Sequence, residues 1–84
     1  MNNKVLIKLY VPNIDKDYDI WIPINKRIYN VINLLIKVIN EFNGDYYKPI
    51  KMPNLYDRLT AKQYDVNLTV KEANIKNGSE LILI

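Results

Sequence analysis

Three acidic residues near the amino terminus have the spacing in this sequence that most resembles a metal site. Asp15, Asp17 and Asp19 alternate in the way that the first ligands of a calcium-binding loop do. Such a loop also needs a glycine at its sixth position and a glutamate at its twelfth, where this chain has Ile20 and Lys26. The pattern therefore favours the solvated edge of a hairpin, and we expect no metal.

The composition removes most catalytic chemistry. The chain of 84 residues contains no cysteine and no histidine, which excludes thiol nucleophiles, imidazole bases, disulfides and tetrahedral zinc sites. Its one serine is Ser79 and its two glycines are Gly44 and Gly78, too few for a nucleophile elbow or a phosphate-binding loop. No pair of carboxylates has a spacing that indicates acid–base catalysis. We therefore predict a protein that is not an enzyme and binds no cofactor.

Aromatic and basic side chains suggest a second chemistry, stacking on the bases of a single-stranded nucleic acid. The chain has seven tyrosines and one tryptophan, and its net charge is +3. Four such side chains would share one surface of the sheet predicted below: Lys4, Lys8, Tyr10 and Trp21. The other basic residues are scattered, unlike the concentrated basic face of a typical nucleic-acid binder. No nucleic acid is expected as a partner, and weak single-strand binding is kept as an alternative.

Alternating apolar residues predict two strands at the start of the chain. The side chains that would point to the core are Val5, Ile7, Leu9 and Val11 in the first strand and Ile20, Ile22 and Ile24 in the second. Pro12 and Asn13 lie between the two runs and favour a turn. The two strands should therefore form an antiparallel hairpin, with Pro23 near its end.

The period of the apolar residues then changes from two to that of a helix. The apolar positions are Ile28, Val31, Ile32, Leu35, Val38, Ile39 and Phe42. Asn25 is the predicted N-cap residue, and Gly44 is the predicted left-handed residue that ends the helix. The sequence thus predicts one amphipathic helix in the middle of the chain.

The second half of the chain predicts short elements. The expected strands cover residues 55–57, 63–65 and 80–84. The segment 45–53 has no period and should cross the end of the sheet. Thr69 and Glu72 have the spacing of a capping box, and Asn77-Gly78 should turn the chain into the last strand. We predict a single α+β domain spanning residues 1–84, a mixed five-stranded sheet with one amphipathic helix packed on one face.

The element order and two stretches of sequence resemble the ubiquitin-like β-grasp fold, and within it the bacterial ubiquitin-like proteins of the YukD/EsaB kind. The segment 63–84 is similar to the ending of those proteins, which close with an Ile-x-Asn/Asp-Gly-Asp-x-Leu pattern that residues 75–81 follow except at Ser79. The Tyr-Asp-Ile-Trp-Ile-Pro stretch at residues 18–23 is similar to the family's Tyr-Asp-Leu-x-Val-Pro.

The resemblance implies a small cytoplasmic accessory or regulatory component of a Gram-positive type VII (WXG100, ESX-like) secretion system. It also implies a protein partner within that system, a membrane ATPase or a membrane channel subunit, and a location peripheral to the membrane complex. A homodimer, or an adaptor unrelated to secretion, remains an alternative. We expect no membrane insertion, since no window approaches the roughly 18 apolar residues of a span. The Gly-Gly tail of conjugating ubiquitins is missing at Ile84, so we expect a non-conjugating protein.

In a β-grasp arrangement the first and last strands are adjacent and parallel at the centre of the sheet, and the face away from the helix is bare. Large apolar side chains from several strands should meet there and form a contiguous patch, which commonly marks an interface. The predicted interaction residues, with Trp21 as anchor and the two basic residues as rim, are Leu6, Lys8, Trp21, Arg58, Ile82 and Ile84. The alternative is that segment 45–53 covers this face.

Overall fold

The computed structural model describes residues 3–44 and 47–84. Its elements are β1 (Lys4–Val11), a 3-10 turn (Pro12–Ile14), β2 (Lys16–Pro23), α1 (Ile28–Asn43), β3 (Leu55–Asp57) and β4 (Glu80–Leu83). The strands form one mixed sheet in the order β2-β1-β4-β3. β1 is antiparallel to β2 and parallel to β4, and β3 is antiparallel to β4. This is the ubiquitin-like β-grasp fold that the element order predicts.

The amino-terminal hairpin is in register from Lys4 opposite Pro23 to Val11 opposite Lys16. The turn of this hairpin contains the 3-10 segment, which begins with a proline. The turn ends at Asp15, whose backbone is left-handed (φ 50°). The predicted turn at residues 12–13 is confirmed. β2 begins at Lys16, earlier than the apolar alternation indicates, because the first residues of a hairpin strand pair through their backbone whatever their side chains are.

α1 buries one face against the sheet at five of the seven positions that its apolar period predicts; Val38 is half-buried, and Phe42 is 66% exposed near the end of the helix, where its ring stacks on Tyr18. The residues buried on that face are Ile28, Val31, Ile32, Leu35 and Ile39. Gly44 ends the helix in a left-handed conformation (φ 60°, ψ 42°), and its N–H donates to the carbonyl of Asn40. The predicted helix and the predicted ending at Gly44 are therefore confirmed.

The start of α1 differs from the prediction. The N-cap residue is Arg27, not Asn25, and no side chain caps the helix. Instead, the N–H groups of Ile28 and Tyr29 donate to the carbonyls of Leu68 and Val66, at 2.8 and 3.0 Å. A neighbouring backbone segment thus satisfies donors that a capping side chain would otherwise take.

The predicted fifth strand at residues 63–65 is wrong, and the described residues form four strands. Only one bridge remains in this region, between Tyr56 and Gln63. The turn before it is closed by Asp57, whose Oδ1 accepts the N–H groups of Leu59 and Thr60 at 2.8 and 3.3 Å. After this bridge the chain passes the start of α1, where the carbonyl of Val66 accepts a helix N–H. The pairing with β3 therefore cannot extend.

The core lies between the inner face of the sheet and α1. Its buried side chains are Ile7, Leu9, Val11, Ile20, Ile22, Ile28, Val31, Ile32, Leu35, Ile39, Tyr47, Leu55, Val70, Ile75, Leu81 and Leu83. The capping box is confirmed, because Thr69 N–H donates to Glu72 Oε1 (2.9 Å) and Glu72 N–H donates to the Thr69 hydroxyl (3.1 Å). Within residues 3–44 and 47–84, no helix is long and apolar enough to cross a membrane.

Candidate protein-interaction surface

The outer face is the side of the sheet opposite α1, and no described element packs across it as α1 does on the inner face. Side chains alternate along a strand, so the neighbours of the buried positions point to the outer face. These neighbours are Lys4, Leu6, Lys8, Tyr10, Asp17, Asp19, Trp21, Tyr56, Glu80 and Ile82, extended by Arg58 and Ile84. All six residues that the sequence predicted for interaction therefore belong to this face.

Trp21 and Leu6 form an apolar pair at one end of the outer face. They are direct cross-strand partners in the hairpin, and 55% of Trp21 is exposed. On the other side of Leu6 runs the turn before β4, where Asn77 Oδ1 accepts the Leu6 N–H (2.7 Å) and Gly78 N–H donates to the Leu6 carbonyl (2.8 Å). The space that a Cβ on Gly78 would occupy has no atom within 4 Å. Trp21 is therefore open to solvent at this edge, whereas Leu6 is half-buried.

A second apolar group lies further along β1. In the sheet register Ile82 is flanked by Tyr10 on β1 and by Tyr56 on β3. Ile84 comes two residues after Ile82, just beyond the end of β4, and is 52% exposed. At about 3.3 Å per residue, Tyr10 lies roughly 13 Å from Leu6 along β1.

A row of charged residues separates the two apolar groups. Lys8 lies opposite Asp19 on one side and Glu80 on the other. Arg58 is beside Glu80, since the backbone N–H of Arg58 donates to the backbone carbonyl of Glu80 (2.9 Å). The structure therefore brings Leu6 together with Trp21, and Ile82 with Ile84, but the charged row lies between these pairs.

Arg58 is held in place within this face. Its Nη1 is 3.2 Å from Asp17 Oδ1, and its guanidinium carbon is 4.9 Å from the centre of the Tyr10 ring. The Tyr10 hydroxyl donates to Asp15 Oδ1 (2.8 Å), and this hydrogen bond to a carboxylate is the main reason that the pKa of Tyr10 is raised. The Arg58 side chain thus reaches from the end of β3 to β2 and partly covers the Tyr10 ring. This contact was not predicted from the sequence; the hairpin register places Tyr10 opposite Asp17, but no local signal brings Arg58 to them.

Two of the three aspartates of the calcium-like pattern have other partners. Asp15 accepts the Tyr10 hydroxyl, and Asp17 pairs with Arg58. Across the described part of the chain, no group of three or more acidic side chains could hold a metal ion.

The segment that was expected to cross the end of the sheet lies beside Ile84. Tyr47 is buried in the core, while residues 48–52 are exposed and line a cleft with Ile84. The exposure of Trp21 shows that the described part of this segment, residues 47–53, leaves the Trp21–Leu6 pair uncovered. Asp45 and Tyr46, which belonged to the same prediction, lie outside the described residues.

The charge of the outer face is balanced. Its basic residues are Lys4, Lys8 and Arg58, and its acidic residues are Asp17, Asp19 and Glu80. A surface that binds nucleic acid through phosphates has an excess of positive charge. The outer face therefore suits a protein partner better than a nucleic acid.

Comparison with known proteins gives a clear result for the fold. No protein-family model matches the sequence, and no curated protein is significantly similar to it. Among solved structures, the chain is similar to the ubiquitin-like domain of the type VII secretion system protein EccD1 of Mycobacterium tuberculosis, with 12% identity and a TM-score of 0.75 over 96% of this chain and 97% of that one.

Two further similarities show how widely this fold occurs. One is with a chain of the ESX-5 inner membrane complex, at 14% identity and a TM-score of 0.76, and it covers 98% of this chain but 21% of that one. The other is with a ubiquitin of Caldiarchaeum subterraneum, at 12% identity and a TM-score of 0.72 over 96% of this chain and 91% of that one. At such identities the similarity establishes a ubiquitin-like fold, which hosts many functions.

Proposed function

We propose that this chain is a non-enzymatic ubiquitin-like module that binds another protein through its outer face. The observation that carries the proposal is the Trp21–Leu6 pair, in which a tryptophan that is 55% exposed lies beside a half-buried leucine on an uncovered sheet face. Tryptophan is enriched among the residues that dominate binding energy, particularly where polar groups surround it. Here the charged row of Asp19, Lys8 and Glu80 provides such a surround on one side.

We further propose that the module is a YukD/EsaB-like accessory or regulatory component of a type VII secretion system. Two features support this assignment. The sequence of residues 63–84 resembles the ending of that family, and the fold is similar to the ubiquitin-like domain of EccD1 and to part of a chain in the ESX-5 inner membrane complex. The proposed partner is the membrane ATPase or a membrane channel subunit of that system, and the proposed location is the cytoplasmic side of the membrane complex.

The test is binding of the purified chain to the cytoplasmic domains of type VII components from the same organism, measured by biolayer interferometry. Trp21→Ala should weaken binding at least about tenfold, since truncation of an anchor residue commonly costs more than about 1.4 kcal/mol. Ile82→Lys should weaken binding by a similar factor, because it places a charge in the apolar group between Tyr10 and Tyr56. Tyr29→Ala is the matched control, because Tyr29 on α1 is 52% exposed, nearly as much as Trp21. Unchanged binding by both outer-face variants would remove the proposed surface.

The remaining alternatives have their own readouts. Binding of a labelled single-stranded oligonucleotide that weakens steeply with salt would support nucleic-acid binding instead. Self-association that Trp21→Ala abolishes in sedimentation experiments would identify a second copy of the chain as the partner. Binding to a protein outside the secretion system, with the same dependence on Trp21, would support a general ubiquitin-like adaptor.

A further inference from the structure

A second exposed apolar surface lies at the end of the sheet far from the Trp21–Leu6 pair, and apart from Ile84 the proposed function does not use it. We name it the loop cleft. Its volume is about 420 Å³, within the range of small binding pockets. The residues that line it are Asn13, Tyr47, Lys48, Pro49, Ile50, Lys51, Met52, Pro53, Asn54 and Ile84.

The loop cleft is fixed to the domain on both sides. The Tyr47 ring is buried in the core, and the backbone N–H of Tyr47 donates to Asn40 Oδ1 on α1 at 2.9 Å. At the other end, Asn54 and Ile84 exchange two backbone hydrogen bonds, at 2.7 and 3.0 Å. Pro53, next to this pair, is buried. The two ends of the lining segment are thus anchored, to α1 at Tyr47 and to Ile84 at Asn54.

The apolar residues of the cleft are strongly exposed. The Ile50 side chain is fully exposed, and Met52 and Ile84 are 40% and 52% exposed. Methionine adapts its shape to different partners, because it is unbranched and polarisable. An isoleucine, a methionine and a second isoleucine around one depression are the kind of apolar surface that a partner's side chain covers.

The charge of the lining indicates what that partner carries. Lys48 and Lys51 stand on either side of Ile50 in sequence, and none of the lining side chains is acidic. The remaining polar side chains are the amides of Asn13 and Asn54. We infer that the loop cleft binds an acidic peptide segment, with one apolar side chain in the depression and flanking carboxylates beside the two lysines.

An anionic membrane is the other ligand that such side chains attract, and the geometry favours it less. Segments that bind membranes through charge typically carry roughly four to eight basic residues, whereas this cleft has Lys48 and Lys51. A concave surface also takes up a protruding side chain rather than a flat lipid surface. The inference is independent of the outer face, which meets the loop cleft only at Ile84.

The test is a titration of the isotope-labelled chain, followed by NMR, with a short capped peptide in which one leucine lies between pairs of glutamates. Chemical-shift changes should concentrate on residues 47–54 and Ile84 and leave Trp21 unchanged. The same peptide with alanine in place of leucine should bind at least about fivefold more weakly, since a buried leucine side chain contributes much of such binding. Loss of this dependence on leucine would show that the depression takes no anchor.

Charge reversal provides the second arm of the test. The double variant Lys48→Glu with Lys51→Glu should bind the glutamate peptide roughly tenfold more weakly. It should bind the same peptide with lysines in place of glutamates more tightly than the wild type does. The matched control reverses two exposed lysines outside the cleft, Lys71→Glu with Lys76→Glu. An equal loss in the control would show that only the net charge matters and would overturn the inference.

Two further outcomes would also overturn it. The first is the absence of shift changes at residues 47–54 at millimolar peptide. The second is binding to phosphatidylcholine–phosphatidylglycerol vesicles that Ile50→Ala abolishes while the peptide has no effect, which would assign the loop to a membrane surface. Neither outcome affects the proposed function, which is tested through Trp21 and Ile82 with Tyr29 as the control.

Discussion

Two consecutive residues of β2 offer the most direct test of how the sheet divides core from surface. Ile22 points to the inner face and is 1% exposed, whereas Trp21 points to the outer face and is 55% exposed. Their contributions to the free energy of unfolding should therefore differ, although Trp21 is the larger side chain. Both variants replace a β2 side chain with alanine, one on the inner face of the sheet and one on the outer face.

The expected magnitudes follow from burial. Ile22→Ala removes buried methyl groups and leaves a cavity, which costs about 3 kcal/mol, within the usual range of about 2 to 5. Trp21→Ala leaves no cavity, because solvent fills the space, and it loses the cross-strand contact with Leu6 and part of a half-buried ring. Its cost should be about 1 kcal/mol and at most about 2. A domain of this size has a total stability of about 4 to 12 kcal/mol, so both variants should fold.

Urea denaturation followed by far-UV circular dichroism measures the difference without relying on tryptophan fluorescence. With a urea dependence of about 1.5 kcal/mol per molar, Ile22→Ala should lower the midpoint by about 2 M, and Trp21→Ala should lower it by about 0.7 M and at most about 1.3 M. Equal losses in the two variants would mean that the indole is part of the core. The outer face would then have no open anchor, and the proposed interaction surface would fail with it.

The remaining predictions concern titratable groups and their pH dependence. The pKa of Glu72 is lowered from its usual value, first by the hydrogen bond from the Thr69 N–H, so its stabilising contribution is present above about pH 4.5 and is lost as the pH falls through the lowered pKa. Urea midpoints measured from pH 7 to pH 3 should therefore decline more steeply in the wild type than in Glu72→Gln, and parallel curves would contradict the capping box. Burial, with help from the carboxylate of Asp57, raises the pKa of Tyr64 to about 12. The folded state thus keeps this phenol protonated. The stability that the protonated phenol contributes is present below about pH 10 and is lost as the pH rises towards 12. Tyr64→Phe should reduce the loss of stability in this alkaline range, and an absorbance titration that lacks one late-ionising tyrosine in the variant would identify the group.

The elements that local patterns encode are predictable from the sequence. The period of two identifies the core face of β1 and β2, and the helical period identifies the buried face of α1. Single residues with one strong local role also match the structure, namely Gly44 at the helix end and Thr69 with Glu72 in the capping box. In each case the interacting groups are within a few residues of each other, so that tertiary contacts have little opportunity to override them.

The features that the sequence did not predict depend on groups far apart in the chain. The start of α1 is capped by the carbonyls of Leu68 and Val66, which no window around Asn25 contains. The contact between Arg58 and Asp17 joins residues 41 positions apart. The break between the apolar groups depends on the parallel register that places Lys8 opposite Glu80. A tight turn fixes the register of a hairpin, but no local signal fixes that of two parallel strands distant in sequence.

This register has a consequence for recognition by the outer face. A single apolar patch would accept many partners, because burial of apolar surface has little directional preference. The row of Asp19, Lys8 and Glu80 places both signs of charge next to the Trp21–Leu6 pair, so that a partner covering the pair must also provide groups that match this order of charges. A partner with the reverse order would bury like charges against each other, which is how interfaces exclude wrong partners. In the proposed interface the indole would contribute affinity and the charged row selectivity, so Lys8→Glu should change which partner binds while Trp21→Ala should weaken binding of every partner.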